Sequence, residues 1–130
     1  MSVTVSTIAD PLGTKLIIDS NCNATPEQDV TGTDTTIIYA IEIDNTANTT
    51  LPTYVKLWNN DNAASGTTMP TLQFRVAAGA KETYVIGTGT SDVFVELSFW
   101  AVKSPYALSA DDSDAAVSPA STVPVKILCT

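Results

Sequence analysis

The sequence predicts an all-β fold, an antiparallel sandwich of about eight strands of the immunoglobulin-like or jelly-roll kind. Three observations predict it. Short runs alternate apolar and polar residues along most of the chain. Clusters of Gly, Pro, Asn and Asp separate those runs. No stretch repeats its apolar residues at the 3.6-residue period of a helix. The composition agrees: charged residues are 15% of the 130-residue chain and Thr, a β-former, is abundant. One domain, residues 1–130, is expected, with residues 1–12 as an arm or edge strand.

The strands follow in order. Val3–Ile8 alternates Val3 and Val5 with Thr4 and Ser6, and Pro11 and Gly13 end it. Lys15–Asp19 sets Leu16 and Ile18 against Ile17. Ser20–Asp34 is polar, either a long loop or a hidden edge strand. Thr35–Asp44 is the clearest strand, and its face of Ile37, Tyr39, Ile41 and Ile43 is expected to look into the core. The polar stretch "DNTANTTLP" then reads as a turn, because Asn and Asp tolerate turn geometry and bond their own backbone.

Tyr54–Trp58 opposes Val55 and Leu57 to Tyr54, Lys56 and Trp58, and "NNDN" follows it. Leu72–Val76 turns inward with Leu72, Phe74 and Val76, and Glu82–Ile86 follows the turn "AAGA". Asp92–Lys103 carries the longest alternation, with Phe94, Trp100 and Val102 giving its second face an apolar character. Ser104–Ser121 reads as a loop. Thr122–Cys129 points Val123, Val125, Ile127 and Cys129 inward. Pro124 there requires either a sheet edge or the start of a strand.

The chain excludes several chemistries. It has no His, so Ser-His-Asp and Cys-His catalysis are ruled out, and zinc is not expected. Glu42 and Glu96 are the only glutamates inside strands with apolar surroundings, and each lies on its strand's less apolar face, where solvation is expected rather than acid–base work. Gly87 and Gly89 in "GTGT" open no helix and form no phosphate cradle. Calcium has two candidate segments, Asp111, Asp112 and Asp114 in one and Asn59, Asp61 and Asn62 in the other. Neither has the glycine and distant glutamate of an EF-hand. No cofactor and no metal are expected.

A net charge of −8 argues against nucleic acid and anionic membranes as partners. "MSVTVSTIAD" lacks the basic and apolar regions of a signal peptide, so Cys22 and Cys129 are expected to be free, buried thiols in a reducing cytoplasm. Tyr54, Trp58, Phe94 and Trp100 lie on faces expected to turn outward, which makes them the candidate interface. The aromatics Tyr54, Trp58, Trp100 and Tyr106 also offer a sugar platform.

Taken together, "IIYAIEIDNTANTTLPTYVKLWNNDNAASGTTMPTLQFRVAAGAKETYVIG", "VFVELSFWAVKSP" and "VPVKILC" resemble small virion structural proteins of tailed phages, those of marine phages and cyanophages among them. The elements of the resemblance are Tyr39–Asn48, Tyr54–Trp58, Gly66–Pro70 and Val76–Ala80 in that order, and Met1–Asp34 lies outside it. The resemblance implies a non-enzymatic β-sandwich located in the virion after synthesis in the host cytoplasm. The expected role is a capsid cement or decoration protein, a homo-oligomer (trimer or dimer) bound to the major capsid protein or another virion protein. A neck, tail or fibre component and a carbohydrate-binding module for host attachment are the alternatives.

Overall fold

A computed structural model of the chain describes residues 3–7, 15–32, 35–64, 67–86, 89–90, 94–104 and 116–130. Among them are eight strands and no helix: β1 (Val3–Thr7), β2 (Lys15–Cys22), β3 (Ile38–Asp44), β4 (Thr53–Asn59), β5 (Leu72–Val76), β6 (Lys81–Val85), β7 (Leu97–Val102) and β8 (Val123–Cys129). They form two antiparallel sheets, a larger one ordered β1-β2-β8-β3-β6 and a smaller one ordered β5-β4-β7. The expected all-β sandwich is the fold.

The core lies between the sheets. The larger sheet supplies Ile17, Ile41, Ile43, Val125 and Ile127, and the smaller supplies Val55, Leu57, Val76, Phe99 and Ala101. Burial of these side chains provides the main driving force for packing the sheets together. At one flank Phe74 of β5 meets Tyr84 of β6, ring centroids 5.3 Å apart, and the Tyr84 hydroxyl donates to the Arg75 carbonyl.

Three irregularities shift side chains to the other face. Between Ile38 and Ala40 the register of β3 against β8 slips, with Ile38 opposite Cys129 and Ala40 opposite Leu128. The slip points Ile38 inward along with Ile41 and Ile43, whereas Ile37 and Tyr39 are only half-buried. The expected inward face is thus corrected at its first two members.

The second irregularity is in β2. Asp19 pairs with Val125 but Cys22 pairs with Val123, so β2 carries one extra residue opposite Pro124. Pro124 has no N–H to give, and the bulge sits where a ladder bond would be missing. β8 begins at this point, and it occupies the middle of the larger sheet rather than an edge.

The third lies in the run Asp92–Lys103. Phe94 forms an isolated bridge with Thr36, Val95 and Glu96 bend, and β7 begins at Leu97. Phe94 therefore points into the core like Leu97 and Phe99, although simple alternation would place it opposite them.

The polar segment after β2 does conceal an edge. The N–H groups of Glu27 and Val30 donate to the carbonyls of Phe99 and Leu97, and the Phe99 and Ala101 N–H groups donate to the carbonyls of Glu27 and Asn23. Residues 23–30 thus cover the outer edge of β7.

Candidate functional site

The polar clusters that invite a binding site are used by the scaffold. Asp44 Oδ1 accepts hydrogen bonds from the Thr46 N–H at 3.0 Å and hydroxyl at 2.5 Å, closing a turn after β3. Asn45 is fully buried. Its Nδ2 donates to the Ala77 carbonyl at 3.1 Å, with the Leu51 and Val76 carbonyls at 3.3 and 3.4 Å. Its Oδ1 accepts from Thr53 Oγ1 at 2.7 Å and Asn48 Nδ2 at 2.9 Å. Asn48 extends the network to the entrance of β8, where its Oδ1 accepts from the Ser121 N–H at 2.7 Å. One buried amide therefore ties together the ends of β3, β4 and β5, and its neighbour ties in β8.

"NNDN" is also structural. Asn59 Oδ1 accepts from the Val95 N–H at 2.7 Å, and the Asn60 carbonyl accepts from the Ser98 hydroxyl at 2.5 Å. Asn62 Oδ1 lies 3.4 Å from Trp58 Nε1. These oxygens thus serve contacts within the protein. Among the described residues no three His, Cys, Asp or Glu side chains are grouped as metal ligands. Asp111–Asp114 and Tyr106 lie outside the described residues.

The four candidate interface residues separate. Phe94 is a core residue with 0% exposure, which corrects its assignment to an outward face. Trp100 does lie on the outer face of the smaller sheet, but it is 1% exposed. Together with Ala63 and Val102 it forms a second apolar cluster, against which Ala24 and Trp58 pack. The cover over Trp100 is held by Gln28, whose Nε2 donates to the Ala63 carbonyl at 2.6 Å and whose Oε1 accepts from the Ala63 N–H at 3.0 Å. Lys56, directly opposite Trp100 in the ladder, is equally buried. Only Tyr54 and Trp58 of the four remain half-exposed. The structure therefore brings Trp58 and Trp100 together and keeps Phe94 away from them.

The two glutamates singled out in the sequence, Glu42 and Glu96, lie on different sheets. Glu42 points outward from β3 between Lys81 Nζ at 3.6 Å and Lys126 Nζ at 3.9 Å, two exposed ion pairs of small energetic weight. Glu96 sits at the bend ahead of β7 on the other sheet. Glu27 has its carboxyl pushed above the usual range, first by burial and then by the charge of Asp19. Both thiols are free and buried. Burial pushes the Cys129 thiol up to about 11 and raises Cys22 strongly, with Asp19 and Glu27 adding to the shift at Cys22. High pKa and burial make both poor nucleophiles.

The surface feature that strict alternation passes over is on the larger sheet. The registers align Ser6, Leu16, Leu128, Ala40 and Val85 in one outward row across all five strands. Leu16, Ala40 and Leu128 are half-buried, and Val85 is 64% exposed. Ile18 stands beside this row, next to Lys126. The signal was present in the sequence: β2 and β8 carry apolar residues at both parities, Leu16 and Ile17 in one, Ile127 and Leu128 in the other. Comparison with protein families, curated proteins and solved structures finds no match for the chain.

Proposed function

We propose that this chain is a non-enzymatic structural subunit of a tailed-phage particle, a cement or decoration protein that binds the outside of the head. The observation that carries the proposal is a division of labour among its side chains. Asn45, Asn48, Asn59 and Asn60 serve the scaffold, while an apolar row, Leu16–Leu128–Ala40–Val85, lies along the outward face of the larger sheet. An apolar row bordered on the same face by Glu42, Lys81 and Lys126 suits burial against another protein, with an apolar centre and a charged rim. The resemblance of residues 37–103 and the last strand to small virion proteins supports a place in the particle, with the major capsid protein or another virion protein as the partner.

The sugar-binding reading loses one of its aromatics, because Trp100 is covered by the chain itself. Among the described residues Trp58 and Tyr54 remain as a small platform. Neck, tail and fibre positions use the same kind of contact and differ in abundance. Quantitative mass spectrometry of purified particles tests the proposal. The expected result is a copy number proportional to the shell protein. A chain found at a few copies is a tail or neck component, and a chain that fails to co-sediment with intact heads overturns the proposal. Leu128→Lys, a charge placed in the apolar row, is expected to abolish head binding while leaving the isolated fold intact.

A further inference from the structure

We infer that β1 is a self-pairing edge, through which two copies of this chain join antiparallel across a two-fold axis into one continuous sheet. The inference rests on how the four sheet edges are finished, and it is independent of the virion reading.

Three edges are blocked against pairing. The outer edge of β7 is covered by residues 23–30 through main-chain hydrogen bonds. β5 has Arg75, whose carbonyl is taken by the Tyr84 hydroxyl. β6 begins with Lys81 and Glu82, both exposed, and charges on an edge oppose strand addition. β1 has none of these devices. Its sequence, VTVST, contains no charge, no proline and no glycine, and its pairing with β2 runs over all five residues without a bulge. Thr4–Thr7 are exposed, and Val5 remains 46% exposed although it belongs to the row of Ile17 and Ile127 that faces the core. Among the described residues no strand pairs the other edge of β1. Four of its five residues are β-branched, the type that fits a ladder best.

The chemistry of this edge selects a second copy as the occupant. A partner recognised by charge needs a complementary charge, and β1 has none. A two-fold axis through Val5 sets Val5 against Val5, Val3 against Thr7 and Thr4 against Ser6 of the second copy. Those are β-branched and hydroxyl pairs without a like-charge clash, despite the net charge of −8 on each chain. The joint merges two five-stranded sheets and hides both edges at once. Five residues a side make a small interface, so the expected Kd is on the order of 0.1–1 mM, a strength that counts where copies are held close together.

Sedimentation velocity of the full chain, from about 20 μM to about 2 mM, reads the association. Wild type is expected to move from monomer to dimer across that range. Thr4→Lys/Ser6→Lys and Thr4→Glu/Ser6→Glu change exposed side chains only, and each is expected to weaken its own dimer more than about tenfold, because like charges then face each other across the axis. An equimolar mixture of the two variants is expected to dimerise again, as opposite charges pair. Thermal melts check that both variants fold, and Val5→Lys, which sets like charges directly opposite each other on the axis, serves if a double variant does not. Wild type that stays monomeric to the top of the range overturns the inference, as does a lysine variant that dimerises like wild type.

Discussion

Asn45 is the residue on which the closed end of the sandwich depends, and Asn45→Ala measures that dependence. The main-chain bonds at this position survive the substitution: the Asn45 N–H still donates to the Ala80 carbonyl at 2.8 Å, and its carbonyl still accepts from the Asn48 N–H at 3.1 Å. What disappears is the side-chain hub. Thr53, itself fully buried, loses its only described acceptor, whereas the Ala77 carbonyl keeps the Ala80 N–H at 3.2 Å. Asn48 Nδ2 keeps the Ser121 carbonyl at 3.2 Å. One buried group, the Thr53 hydroxyl, is thus orphaned, at a cost of about 1–3 kcal/mol. In a chain of this size that lowers the melting temperature by about 4–10 °C. Urea denaturation with a matched thermal scan is the assay. Thr49→Ala, at an exposed neighbour, is the control and is expected to stay within about 0.5 kcal/mol of wild type. Asn45→Asp separates polarity from shape. It keeps the Oδ1 acceptor but turns a second oxygen toward three carbonyls, so the introduced carboxyl has a folded-state pKa above its unfolded value. The folded state then holds the proton more tightly, and the penalty grows as pH rises through about 4. The gap between Asn45→Asp and wild type is therefore expected to narrow on acidification from neutral pH. An Ala variant as stable as the Thr49 control, or an Asp variant that loses further ground at low pH, refutes the reasoning.

Glu27→Gln is expected to stabilise the protein at neutral pH, because burial and Asp19 raise the Glu27 pKa and so disfavour its charged form in the fold. That cost is fully present above the folded pKa and vanishes below the unfolded value, so urea midpoints of variant and wild type should converge under strongly acidic conditions. Gly89→Ala is expected to destabilise by about 2–3 kcal/mol. Gly89 has φ +82°, and a Cβ there would collide with Ile37 Cγ2 and meet Tyr39 Cε1 at 3.0 Å. A thermal shift below about 3 °C would contradict the crowding at that site. The thiols of Cys22 and Cys129 are expected to resist an aromatic disulfide reagent at pH 8 in the native protein and to react in full in denaturant. Rapid labelling of the native chain would show that the burial is wrong.

The strands were legible because alternation is a local property. Val55 against Tyr54, Leu72 with Phe74 and Val76, and Val123 through Cys129 all face as their parity dictates. Parity fails after an insertion, and a β-bulge leaves almost no trace in composition. Nothing in "IIYAI" announces the slip that brings Ile38 inside, nor does "VFVEL" announce the bend that separates Phe94 from Trp100. Pro124 is the exception, since a missing N–H must be accommodated somewhere, and the bulge at Asp19–Cys22 is the accommodation. The Asn45 network was illegible for another reason. An Asn in "DNTANTT" has turn-like neighbours, and its burial depends on Thr53, Ala77 and Ser121 converging from distant parts of the chain.

The outer faces of the two sheets differ in a way that bears on partners. On the smaller sheet the aromatic face is closed by the chain itself: residues 23–30 extend the sheet beside β7, and Gln28 clamps the Ala63 segment in the cluster with Trp100. A partner approaching there would have to displace a packed cluster and leave Gln28 without its two bonds. On the larger sheet the row Leu16–Leu128–Ala40–Val85 lies on the outward face, and among the described residues no strand pairs the edge of β1 beside it. Large aromatics attract attention in a sequence as interface anchors, but tryptophans are as well suited to sealing a small second core. In this chain Trp100 does the sealing, and the surface proposed for recognition consists of medium-sized aliphatic residues and one uncharged strand edge.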